Sequence, residues 1–339
     1  MEEDIIMKKT KLLLLATLLV SGSLVSCGGG AKETEISFGL GYSTSFEKSH
    51  GTWTLDATVV TAAFDKDGKV LAARTDVTQV KFDVTADAAD ATKYVVTAKA
   101  GSGDKSKLEL GTDYGMLGVS EIQKEVYEQI ESWSAYTVGK TVSEVAAATD
   151  IAGVSIVTDA FNAALKNAES KKYTVKVGST KDLKAGIGMV NGGVYEGEGS
   201  VFIAGALTDG KKVLTSYVDC LTYLPSSTDG TAITLETESY GKVNKYAANA
   251  DEGQVIKSKR DLGDLYAMKD ASPIKAEYNT QCASLDAYFA GKTLAEAAAV
   301  AEDAEITGVT ITQDGIVNVT KEAIAYSVKD VITDKPVTK

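Results

Sequence analysis

The sequence predicts an α+β fold: two tandem copies of one domain, each a small antiparallel sheet followed by packed helices. Two observations carry this expectation. The chain matches itself at an offset of 152 residues, and within each copy the β-rich runs come ahead of the helical ones. Strands grouped before helices argue for an antiparallel sheet with segregated helices, not a doubly wound parallel sheet.

The repeat is clearest at Leu110-Gly111-Thr112-Asp113-Tyr114-Gly115-Met116, which answers to Leu262-Gly263-Asp264-Leu265-Tyr266-Ala267-Met268. The same offset pairs Lys105-Ser106-Lys107 with Lys257-Ser258-Lys259, Tyr136 with Tyr288, and Gly139-Lys140-Thr141 with Gly291-Lys292-Thr293. Upstream, Gly39-Leu40-Gly41 answers to Gly186-Ile187-Gly188, and Asp67-Gly68-Lys69 to Asp209-Gly210-Lys211. The order is the same in both copies. The expected organisation is a first repeat over 36–170, a second over 171–330 and a C-terminal tail at 331–339.

Within the first copy, Trp53 to Phe64 and Val70 to Val84 are β-rich and joined by Asp65-Lys66-Asp67-Gly68, a hairpin signal. Tyr94 to Ala98 reads as a third strand. Ser120 is expected to cap a helix carrying Ile122, Val126, Ile130 and Trp133, and its counterpart opens with Ser272-Pro273. Thr141-x-x-Glu144 and Thr293-x-x-Glu296 are capping boxes for a second, Ala-rich helix. A turn or strand containing Gly153 or Gly308, then a closing helix, completes each copy. Cys220 and Cys282 take positions held by Val77 and Ile130 in the first copy, with Cys282 on an apolar face shared with Ile274 and Tyr278. Buried thiols are therefore expected rather than a disulfide.

Ahead of the repeats, Lys8, Lys9 and Lys11 precede an apolar run from Leu12 to Val20. The run is shorter than the roughly 20 residues that span a bilayer, and it leads to Leu24-Val25-Ser26-Cys27. This pattern resembles the lipobox of bacterial lipoproteins. The resemblance implies a signal peptide at 1–26, an acylated Cys27 holding the chain to the extracytoplasmic face of a membrane, and a flexible tether at 27–35. The acidic residues ahead of Lys8 are unusual before a signal segment, and leave Met1 and Met7 as alternative start codons.

At 44% hydrophobic, 24% charged and three prolines, the chain is globular rather than disordered. A net charge of -12 argues against nucleic acid as a partner, because phosphate binding needs basic surface. The single histidine, His50, excludes multi-histidine metal sites and leaves little room for a Ser-His-Asp triad. Gly139-Lys140-Thr141 lacks the upstream glycine of a phosphate loop, and Gly39-Leu40-Gly41 lacks the third glycine of a dinucleotide fingerprint.

One segment per copy carries chemistry. Asp150-Ile151-Ala152-Gly153-Val154-Ser155 answers to Glu305-Ile306-Thr307-Gly308-Val309-Thr310. Each places a hydroxyl after a glycine and five residues after a carboxylate. The segment resembles the acceptor motif of the FMN-binding domain family, in which a flavin transferase links FMN through its phosphate to a threonine hydroxyl. The family motif has Asp first and Thr last; Glu305 and Ser155 depart from it. Gly51-x-Trp53 and the hairpin leading through Asp67-Gly68-Lys69-Val70 to Asp76 resemble that family's N-terminal hairpin. Lys-x-x-Leu-Gly-x-x-Tyr-x-Met, the Trp133/Tyr136 region and Gly-Lys-Thr resemble the tandem-domain surface lipoproteins of Gram-positive flavin-based extracellular electron transfer.

The resemblance implies covalent FMN on Thr310 and Ser155, close backbone access at Gly308 and Gly153, and assistance to attachment from Glu305 and Asp150. It implies an electron carrier and not an enzyme. Its partners would be the membrane, a flavin transferase, a membrane dehydrogenase or quinone donor, and an external electron acceptor. Trp53, Trp133, Tyr136 and Tyr114 are candidates to stack on the flavin ring. The alternative expectation is a surface module that binds a ligand or partner without flavin, its signal peptide serving as a pheromone source.

Overall fold

The computed structural model describes residues 33–195, 198–235, 246–249, 253–311 and 313–329. The signal segment, Cys27, the tether up to Lys32 and the tail expected at 331–339 lie outside the described residues. Four strands run up and down as antiparallel neighbours: β1 (Thr34–Ser49), β2 (Thr52–Phe64), β3 (Val70–Ala86) and β4 (Tyr94–Ala98). Helices α1 (Lys107–Leu110), α2 (Val126–Thr137), α3 (Val142–Ala146) and α4 (Asp159–Ser170) follow. The short β5 (Tyr173–Val177), beyond the boundary expected at 170, then pairs with the start of β1 and gives the order β4-β3-β2-β1-β5.

The second region has β6 (Lys184–Tyr195), β7 (Glu198–Thr208) and β8 (Val213–Tyr223) in one three-stranded antiparallel sheet. Two minor ribbons come next, β9 (Pro225–Ser226) with β10 (Thr234–Leu235), and β11 (Tyr246–Asn249) with β12 (Gly253–Ile256). Helices α5 (Lys259–Leu262), α6 (Tyr278–Phe289), α7 (Leu294–Ala298) and α8 (Gln313–Tyr326) close it. The architecture is mixed α+β with two sheet-plus-helix regions. Among the described residues no helix is long and apolar enough to cross a membrane.

Local chemistry explains the hairpins. The Asp65 carboxylate accepts from the backbone N–H groups of Asp67 and Lys69, and Gly68 takes φ 77°. Asp209 does the same for Lys211 and Lys212, with Gly210 at φ 80°. A positive φ there suits glycine, which carries no Cβ to clash. Both capping boxes form as expected: the hydroxyls of Thr141 and Thr293 accept from the N–H groups of Glu144 and Glu296, whose carboxylates return the bond. Gly139-Lys140 and Gly291-Lys292 also bond the backbones of Val70 and Val213, tying helix entry to the sheet.

The two sheets lie face to face with helices on the outer sides. Leu40 of β1 and Thr61 of β2 face Gly205 of β7 across the interior, and Ile187, Met189, Val201 and Ile203 join the core of the first region. The opposite face of β7 and β8, with Ala204, Ala206, Val218 and Cys220, packs on α6 and α8. Both thiols, Cys220 and Cys282, sit in that outer cluster with no disulfide between them.

The paired glycines of β1 and β6 lie where a helix comes down onto the strand. A Cβ on Gly39 or Gly41 would collide with the backbone of Ala168 and Ala164 in α4, and one on Gly186 or Gly188 with the backbone of Ala323 and Val319 in α8. The two regions also reach across to each other. Tyr42 donates to the Asp261 carboxylate and Lys171 pairs with it, while Arg74 bonds Glu131 and the carbonyl oxygen of Tyr326.

One expectation fails. Ser120 and Ser272 do not start helices: α2 and α6 begin at Val126 and Tyr278, preceded by Glu125 and Glu277. Gln123 and Lys275 take left-handed conformations, with φ of 51° and 54°, which interrupt a helix running back to the serines. Ile122 and Ile274 are consequently exposed instead of lining the core.

Replacing Gly41 with Ala is predicted to cost about 3 kcal/mol or more, since backbone must move to admit the methyl group. Gly210→Ala, in open space at positive φ, is expected to cost roughly 1–2 kcal/mol. Urea unfolding of the two variants separates these cases, and equal losses would contradict the close-packing role.

Candidate functional site

The hydroxyl segments are held by buried glutamines. Gln129 lies on the core face of α2 and is fully buried. Its Oε1 accepts three hydrogen bonds: from Ser155 N at 2.7 Å, from the Ser155 hydroxyl at 3.2 Å and from Ile156 N at 3.1 Å. Its Nε2 donates to the Ser120 hydroxyl and the Lys124 carbonyl oxygen. Every amide hydrogen-bonding group is occupied, as burial demands.

Gln281 of α6 reproduces the set. Its Oε1 accepts from Thr310 N at 2.6 Å, the Thr310 hydroxyl at 3.1 Å and Ile311 N at 3.0 Å. Its Nε2 donates to the Ser272 hydroxyl and the Ala276 carbonyl oxygen. The serines expected to cap helices serve these amides.

The turns themselves match. Val154 N donates to the Ile151 carbonyl and Val309 N to that of Ile306, with Gly153 at φ 82° and Gly308 at φ 83°. A Cβ on Gly153 would meet Lys124 Nζ and the Ser132 hydroxyl, and one on Gly308 the Ser284 hydroxyl. Ile151 and Ile306 are buried beneath, whereas Asp150, Glu305, Ser155 and Thr310 are exposed. Each hydroxyl thus has a fixed backbone and an open outer side.

A cleft of about 780 Å³ lies between β3 and residues 101–119. Its lining includes Lys81, Lys105, Lys107, Tyr114, Met116 and Val119, and no residue of the hydroxyl loop. Val119 precedes Ser120, which bonds the Gln129 amide that holds the loop. The Glu125 carboxylate fixes that turn by accepting from Met116 N and Leu117 N, and Glu277 accepts from Met268 N in the second region. Behind the cleft, Asp76 is buried and accepts from Val77 N and Leu108 N; Asp219 likewise accepts from Cys220 N and Arg260 N. Burial pushes the Asp76 carboxyl up to about 7 and that of Asp219 up to about 6, against opposing hydrogen bonds from Ser106 and Ser258.

Of the aromatic candidates, only Tyr114 lines the cleft, with Lys107 Nζ 5.3 Å from its ring centroid. Trp133 is fully buried against Phe161 and Trp53 stacks on Phe46, so both are committed to packing. Tyr136 carries Lys140 over its ring. No group of three or more His, Cys, Asp or Glu among the described residues is placed to hold a metal ion.

An exposed hydroxyl able to carry an esterified phosphate is available in each region. Esterification removes the hydroxyl proton, yet Gln129 or Gln281 keeps two backbone N–H donors. The loop therefore stays anchored when the hydroxyl is modified.

Comparison with known proteins gives a partial match. The chain is 34% identical over 107 residues to a chlorophenol reductase of Desulfitobacterium hafniense. That stretch covers 30% of this chain and 32% of the relative, so about a third of the relative's length is matched. No family profile matches the chain, and no solved structure does.

Two predictions follow from the geometry. Gln281→Ala leaves the amides of Thr310 and Ile311 without their acceptor; about 1–2 kcal/mol of stability should be lost and exchange at those amides should accelerate. Unchanged exchange rates would refute the anchoring role. The raised carboxyls of Asp76 and Asp219 mean that the folded chain binds more protons than the unfolded one from about pH 4 to 7. Their contribution is full in acid and is lost as pH rises through the folded values. Asp76→Asn should therefore flatten the stability–pH curve of urea unfolding across that window.

Proposed function

We propose that this chain is a membrane-anchored electron carrier, built from two copies of one domain, with FMN esterified to Thr310 and Ser155. The observation that carries the reading is the hydroxyl loop occurring twice. In both regions an exposed Ser or Thr follows a glycine at positive φ, and a buried glutamine grips the backbone on either side of it. The equivalent contacts recur at the offset of the sequence repeat, which supports duplication of one domain. A relative that is a reductase supports a redox role.

Attachment asks little of the chain beyond presenting the hydroxyl. Its oxygen bonds to the FMN phosphorus of a flavin dinucleotide held by a transferase, the pyrophosphate P–O bond breaks and releases the nucleoside monophosphate, and the hydroxyl proton leaves to a base. Asp150 and Glu305, exposed five residues upstream, stand on the solvent side where a transferase would approach. The glycines let the loops lie close against Ser132 and Ser284, and the glutamines prevent them from yielding. Once bound, the flavin supplies the redox chemistry and the protein supplies position and shielding. Covalent attachment retains the cofactor outside the cell. Lipid on Cys27 would hold the carrier at the extracytoplasmic face, between a membrane dehydrogenase or quinone pool and an external acceptor.

The test is the intact mass of the mature chain after co-expression with a flavin transferase, followed by peptide mapping. Two FMN additions are expected, one lost in Thr310→Ala and the other in Ser155→Ala. No addition, with the transferase active on a control substrate, would refute the carrier reading and favour a flavin-free binding module.

A further inference from the structure

The fold gives the molecule two distinct ends. Ile36 and Phe38 near the start of β1 share one apolar cluster with Ala63 and Ala72, which flank the β2–β3 turn. Leu183, Ala185 and Leu207 belong to the same cluster, and Leu207 flanks the β7–β8 turn. Both hairpin turns therefore lie at the end where β1 begins, as does the β5–β6 connection, because Val177 pairs with Thr34.

The hydroxyl loops lie away from that end. Ala164 backs Gly41 and Ala168 backs Gly39, so α4 runs back toward the start of β1. Val319 backs Gly188 and Ala323 backs Gly186, so α8 runs the same way in the second region. Ser155 and Thr310 immediately precede these helices. Nine or ten helical residues at 1.5 Å each, added to the strand residues before the glycines, place both hydroxyls roughly 20–30 Å beyond the strand starts.

Charge marks this end as well. Lys69, Lys176, Lys181, Lys184, Lys211 and Lys212 are all exposed around the start of β1 and the two turns. Asp65 and Asp209 direct a carboxylate oxygen to turn N–H groups, and Asp67 pairs with Lys66. Glu33, Glu35 and Asp182 are exposed there too, as are Glu144 and Glu296, which sit between Lys69 and Lys140 and between Lys212 and Lys292. The end is close to neutral on a chain of net charge -12, so the negative excess lies on the rest of the chain. This end therefore meets an anionic surface with little repulsion.

We propose that this lysine-bearing end is a docking surface for an anionic bilayer, and that docking turns both hydroxyl loops toward the medium. The proposal rests on the lipid-anchor reading. Seven residue steps lead from Cys27 to Thr34, a reach of at most roughly 25 Å at full extension, so an acylated Cys27 would keep this end the one nearest the lipid headgroups. Basic groups near anionic headgroups gain affinity over about a Debye length.

The experiment uses the lipidated full-length mature chain in vesicles of phosphatidylglycerol and phosphatidylcholine doped with nitroxide-headgroup lipid. A fluorophore is placed at Asp67→Cys or at Thr307→Cys; the native thiols are buried and do not compete. The Asp67→Cys probe should be quenched several-fold more than the Thr307→Cys probe. Equal quenching, or the reverse order, on vesicles that carry the protein in flotation overturns the orientation while leaving anchoring intact. Failure to float overturns the anchoring reading and this proposal together. Lys69→Glu, Lys211→Glu and Lys212→Glu combined should reduce the Asp67→Cys quenching on anionic vesicles only, and no reduction there overturns the electrostatic docking.

Discussion

The three strands β6–β8 bury apolar side chains on both faces, and much of the architecture follows from that constraint. One face needs α6 and α8, the other needs the inner face of the first sheet. Hydrophobic burial is non-directional, so it brings the sheets together without fixing how they sit. The register comes from directional contacts at the periphery. Asp261 receives both Tyr42 and Lys171, and Arg74 spans Glu131 and the end of α8. The charged groups in these contacts are partly or largely withdrawn from water, where leaving one partner unmatched is costly.

Within that frame the hydroxyl loops are rigid for a simple reason. A side-chain amide that is fully buried cannot trade its partners for water, so the two backbone N–H groups it grips are fixed with it. The loops touch the core through the glutamine and through apolar side chains on the inner side, Ile151, Val154 and Ile156 in one and Ile306, Val309 and Ile311 in the other, leaving the hydroxyl side open. Rigidity and exposure, usually opposed in a surface turn, coexist because the anchoring amide comes from below.

What could be read from sequence was what local chemistry decides. The hairpin at Asp65–Gly68 and the capping boxes at Thr141 and Thr293 depend on residues three or four apart, and all formed. Strand β1 was not legible as a strand. Its outward positions include Gly39 and Gly41, which look like loop residues until α4 is seen resting on them. Ser120 and Ser272 have the composition of helix caps, but a left-handed residue three positions later and a glutamine nine positions later redirect them. Gln129 and Gln281 give no functional signal on their own, because a polar residue on a helix reads as solvent-facing. Their recurrence at the offset of 152, among buried positions, is the available signal. The cleft has no sequence signature, since its walls come from β3 and a segment some twenty residues later.

Strand β1 also determines how the protein bears load. It opens the described fold and is flanked at its start by β2 on one side and β5 on the other. A pull applied at Thr34 along the strand loads the hydrogen bonds to both neighbours together, in shear, so they do not open one after another. A lipid on Cys27, as proposed, would put that same strand under load whenever the chain is drawn away from a membrane.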